Sequence, residues 1–163
     1  MNRKTAVMGL YIALALVFSY VEFLLPLPIA IPGVKIGFAN IVTMIALYQY
    51  EKKEAFWILV VRIVLSGFMF SGFHMMMYAL AGGLCSLFIM ILLKSSKHFS
   101  VMGVSMAGGV CHNVAQLLIA ALIMENKNLF YYFPVLVFNG IAAGCIIGLL
   151  GAIIMKRIKG VLE

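Results

Sequence analysis

Six apolar stretches, each bounded by prolines, glycines or charges, occupy almost all of this 163-residue chain. A stretch of roughly 20 apolar residues is long enough to cross the hydrocarbon core of a bilayer as a helix. With 65% of residues hydrophobic, 10% charged and a mean hydropathy of +1.14, a water-soluble fold of this length has too little polar surface to cover its apolar residues. The expectation is an all-α integral membrane bundle of six transmembrane helices, one domain over 1–163, with spans near 5–25, 36–50, 54–72, 75–93, 99–124 and 130–155. Nothing is left over for a soluble catalytic module. The second span is short enough to be tilted or to begin among the headgroups. The first reads as a span rather than a cleavable leader, because its apolar run from Ala6 to Leu25 is too long and no small-residue cleavage site follows.

The net charge of +7 is distributed at helix ends rather than in one patch, which argues against nucleic acid and for membrane topology. Arg3, Lys4, Lys52, Lys53, Lys94, Lys97, Lys156, Arg157 and Lys159 fall on one side, while Lys35 and Lys127 fall on the other. Basic loops stay in the cytoplasm, so both termini are expected inside a bacterial-type plasma membrane. On the outer side, residues 26–33 run Pro-Leu-Pro-Ile-Ala-Ile-Pro-Gly. Three prolines forbid a regular helix there, leaving a lid over a cavity, a plug between helix ends, or a plain apolar connection.

Polar side chains inside a bilayer are costly and are functional candidates by default. Those within the spans are Glu22, Asn40, Arg62, His112, Asn113, Gln116 and Asn139. A helical rise of ~1.5 Å per residue places Glu22 roughly 5 Å from the outer end of its span and His112 about 18 Å, with the others between. No comparable group is expected in the inner halves. Ser105, Gly109, His112 and Gln116 recur at steps of three or four and share one helix face, flanked by Asn113. That pattern describes either a polar pocket or hydrogen-bonding glue between helices. Arg62 must meet a carboxylate, carbonyls or an anionic ligand, so a pair with Glu22 and a role in holding substrate both stand open. Lys35, at the outer mouth, contributes to an anion site or anchors in headgroups.

Small residues Ala6, Gly9 and Ala13 line the face of the first span opposite Glu22, as a close-packing surface for a partner does. Gly140, Gly144, Gly148 and Ala152 form a similar ladder on the last span, more simply explained by packing within the chain. Cys85, Cys111 and Cys145 sit in apolar runs and read as small hydrophobes. Neighbours on a helix point about 100° apart, so Cys111 and His112 are poorly placed for one metal. There is no phosphate-binding loop of the Gly-x-x-x-x-Gly-Lys-Ser/Thr type. Nor is there any aspartate, and the five glutamates are scattered, so magnesium-dependent diphosphate catalysis lacks its ligands. No enzyme activity, metal or cofactor is expected.

Three segments carry a resemblance: residues 32–40 (Pro-Gly-Val-Lys-Ile-Gly-Phe-Ala-Asn), residues 79–86 (Ala-Leu-Ala-Gly-Gly-Leu-Cys-Ser) and residues 103–116, which end in His-Asn-x-x-Gln. On these the chain resembles the heptaprenyl diphosphate synthase component I family, also called the Gx transporter family. That family is in turn similar to the substrate-binding S components of energy-coupling factor (ECF) transporters. The resemblance implies a six-helix bundle with an outward ligand pocket closed by loops. It also implies that the Ala6, Gly9 and Ala13 stripe docks on a transmembrane coupling protein driven by two ATPases. The expected function is capture of a vitamin-like or other small, anionic substrate by Arg62, His112, Asn113, Gln116, Asn139, Asn40, Lys35 and Glu22. The alternative is a non-catalytic membrane accessory of heptaprenyl diphosphate and menaquinone synthesis.

Overall fold

The computed structural model describes residues 3–25 and 37–162. The segment 26–36, with its prolines and Lys35, lies outside the described residues. Six α-helices follow one another: α1 (Arg3–Leu24), α2 (Phe38–Gln49), α3 (Lys52–Ser66), α4 (Phe73–Ser96), α5 (Val101–Ile123) and α6 (Phe133–Leu162). Five of the helical stretches are long and apolar enough to cross a membrane; α2, at 12 residues, is not. At ~1.5 Å per residue a helix of that length reaches only partway through a ~30 Å hydrocarbon core. Its shortness has a counterpart in burial. Ala39 and every residue from Ile41 to Leu47 are buried, so α2 is an interior helix.

The core is built around α2. Val42, Ala46 and Leu47 pack with Ala55, Ile58, Leu59 and Ile63 of α3, Met76, Leu87 and Met90 of α4, Val104 of α5 and Ala15 of α1. On the other side Ile41, Met44 and Ile45 meet Ile147 of α6. The large side chains turned outward, among them Leu10, Trp57, Phe68, Phe88, Leu122, Phe138 and Ile153, are apolar, which suits lipid and not water.

Glycines set how closely the second half packs. A side-chain carbon at Gly140 would meet the backbone of Val110 at 2.7 Å, and one at Gly144 would meet that of Met106 at 2.6 Å. Gly148 faces Met102 in the same way, and Gly109 faces the Gly140 carbonyl. The α5 and α6 backbones are therefore in direct contact, and the ladder on the last helix serves packing within the chain. The pair Gly82 and Gly83 does the equivalent for α4: the first lies against His112 and Gln116 of α5, the second against Leu59 and Ile63 of α3.

Two local devices shape the ends. α3 continues as a π turn over Gly67–Ser71 and stops at Gly72, whose φ of 82° suits glycine. The wider turn keeps Gly67 against Met76, where no side chain would fit. At the start of α5, Ser100 caps the helix by accepting from the Gly103 N–H at 3.1 Å.

Candidate functional site

The C-terminal end of α1, the N-terminal ends of α2, α4 and α6, the far end of α3 and the second half of α5 converge at one end of the bundle. This end is remote from the lysine-rich turns at Lys52–Lys53 and Lys94–Lys97. A cleft opens there, lined among others by Glu22, Asn40, Arg62, His112, Asn113 and Gln116. Six of the eight expected binding residues thus meet in one place. Lys35 lies outside the described residues. Asn139 does not line the cleft; its neighbour Gly140 does, and the Asn139 Nδ2 is enclosed without a hydrogen-bond partner. The helical turn that carries Gly140 onto α5 aims residue 139 about 100° away, which sets Asn139 beside the cleft and not in its wall.

Arg62 is the centre of the polar network. It is 8% exposed, and its Nη2 donates to Asn40 Oδ1 at 3.0 Å while Nη1 donates to Ser19 Oγ at 3.4 Å. The Glu22 carboxylate acts on the guanidinium through its charge. Glu22 Oε1 also accepts from the Gly37 backbone N–H. Gly37 has a φ of 85°, a left-handed conformation that places its N–H ahead of the first turn of α2. One carboxylate therefore ties α1 to the start of α2 and influences Arg62 at the same time. Among the described residues its hydrogen-bond acceptors are an amide oxygen and a hydroxyl oxygen.

The α5 residues divide by role. Gly109, His112 and Gln116 line the cleft at their helical spacing. Asn113 also reaches its wall, but Nδ2 donates to the Leu136 carbonyl of α6 at 2.9 Å, so its amide fastens two helices. Ser105, one turn further from the cleft, is buried where α6 crosses.

Four polar residues of the wall went unread in the sequence: Ser19, Ser66, Ser71 and Tyr78. Ser19 is three residues before Glu22 and Ser66 four after Arg62, the same-face spacings that would have found them. The expectation that the opposite half holds no comparable group is corrected by Glu54, which is 7% exposed in the first turn of α3. Beside that end, Lys94 donates to the Leu47 carbonyl at 2.5 Å and lies 4.9 Å from the centre of the Tyr48 ring. Its long stem lets it do so from the last turn of α4.

The cleft is narrow. Its volume is about 60 Å³, room for a few waters or one small ionic group. On the outward face of α1, Ala6, Gly9 and Ala13 are exposed, and nothing lies within 4 Å of where a Gly9 side chain would be.

Fold and cleft together define an α-helical membrane protein with a buried polar pocket. The family model described as heptaprenyl diphosphate synthase component I matches residues 11–154, and the chain belongs to that family. No curated protein and no solved structure matches the chain.

Proposed function

We propose that the protein is a non-catalytic membrane component of heptaprenyl diphosphate synthesis, holding a small ligand in its cleft and acting beside a separate soluble synthase. The observation that carries this reading is family membership over residues 11–154 in a chain without a single aspartate. Magnesium-assisted diphosphate chemistry uses clustered carboxylates, and among the described residues no group of three or more His, Cys, Asp or Glu is placed to hold a metal. The chemistry then belongs to a partner, and this chain supplies a site in the membrane. In this reading all six helices lie in the plasma membrane, α2 shielded by the other five, with both termini and the lysine-rich turns cytoplasmic. A soluble synthase would meet that basic end.

The test is deletion of the gene with measurement of quinone chain length and amount, alongside co-purification of a soluble prenyl synthase with the tagged protein. Unchanged quinones and no synthase in the purified sample would defeat the proposal.

A second reading, an S-component-like subunit that captures a small anionic molecule for ATPase-driven import, is favoured by the uncovered Ala6, Gly9 and Ala13 face opposite the polar cleft. It expects a transmembrane coupling protein and two ATPases in the same pull-down, and loss of uptake on deletion.

A further inference from the structure

Arg62 has more hydrogen-bond donors than the described residues use. A guanidinium carries five N–H groups and accepts nothing. Two of the five are taken, by Asn40 Oδ1 and Ser19 Oγ. The Nε–H is enclosed and has no hydrogen-bond partner among the described residues, although the side chain is 8% exposed. Buried donors are nearly always satisfied, and a charged one left bare is costly. Nη2 carries two N–H groups, one of which lies along the same edge as Nε–H, and a single acceptor, Asn40 Oδ1, bonds this nitrogen among the described residues. That edge is the one on which a guanidinium takes a carboxylate or phosphate side-on, through two parallel hydrogen bonds.

Most of the wall fits such a guest, while the Glu22 carboxylate in the same cleft opposes its charge. Tyr78, Ser71 and Gln116 bring two hydroxyls and an amide to the same cleft. Met75 and Met76 also line it. Their unbranched thioether chains adapt to the shape of an entering group. About 60 Å³ of space suits one oxyanion group and falls well short of a pocket for a whole drug-sized molecule.

We propose that the Nε–Nη2 edge of Arg62 binds a single oxyanion group, a carboxylate or a phosphate, while Asn40 and Ser19 hold the guanidinium in register for it. The body of any larger ligand lies outside this niche. The inference rests on the cleft being a ligand site and is independent of any synthase partner.

The experiment is calorimetric titration of the purified full chain in nanodiscs with inorganic phosphate, with acetate and with neutral acetamide. Saturable binding of phosphate or acetate, and none of acetamide, is the expected result. Phosphate alone assigns a phosphoryl ligand, and acetate alone a carboxylate. Arg62→Lys keeps the charge and removes the side-on edge, and weakens binding by about tenfold or more. Asn40→Asp sets a carboxylate against Nη2 and abolishes it. Thermal melting checks that each variant is folded. No binding of either anion to the folded wild type, equal binding of acetamide, or unchanged affinity in both folded variants overturns the site. Loss of the synthase partnership with anion binding intact would count against the proposed function alone.

Discussion

Asn40 Oδ1 accepts from Arg62 Nη2 at 3.0 Å, joining the first turn of the interior helix α2 to the far end of α3. This contact converts a mid-bundle charge from a liability into a cross-brace. Replacing Asn40 by Leu strands the Nη2 donor in a buried site and is expected to cost about 1–3 kcal/mol. A lowered unfolding temperature in detergent checks it, with the exposed Asn128→Ala as the neutral comparison.

Glu22→Gln keeps an acceptor for the Gly37 N–H and removes the negative charge felt by Arg62. Two effects are expected: a modest loss of thermal stability, and tighter binding of acetate or phosphate in the same titration. Weaker anion binding would show that Glu22 shapes the cleft chiefly by position.

Glycine substitutions should separate the two small-residue ladders. Gly144→Ala forces a methyl into the backbone of Met106 and is expected to cost about 1–3 kcal/mol. Gly9→Ala meets open space and is expected to be neutral, or to gain up to about 1 kcal/mol from helix propensity. Equal thermal melts for the two variants would contradict the direct contact of α5 and α6.

Single-cysteine labelling tests the topology. In a background with the three native cysteines removed, Ser96→Cys at the end of α4 and Glu125→Cys after α5 should react from opposite sides of a sealed vesicle. Labelling of both from one side would rule out a spanning α5.

The helices could be read in the sequence because lipid demands long apolar runs, and five of them follow that demand closely. α2 obeys a different one. Its solvent is the rest of the protein, so hydropathy alone could not reveal that it sits inside the bundle, and only its short length hinted at it. The cleft was half legible for a related reason. Depth along a helix follows from residue number, which brought Glu22, Asn40, Arg62, His112 and Gln116 into the same half of the bundle. Direction depends on which neighbour each helix meets. Asn113 therefore proved to be bonded to Leu136, Asn139 fell beside the cleft, and the hydroxyls of Ser19, Ser66, Ser71 and Tyr78 passed unnoticed. Glu54 was missed because a carboxylate next to two lysines in sequence looks like a solvated turn, whatever it packs against.

The glycine contacts between α5 and α6 have a mechanical meaning. Where two helices touch through side chains, rotamer changes let one slide on the other. Where they touch backbone to backbone, no soft layer remains, and displacement would break the interface along its whole length at once. On these contacts α5 and α6 are expected to move as one blade, with α4 packed closely on it at Gly82. The cleft wall they form is an anvil. Widening of the cleft to admit a guest is expected from the opposite jaw, where α1 is the least enclosed spanning helix and reaches α2 at this end through the bond from Gly37 to Glu22.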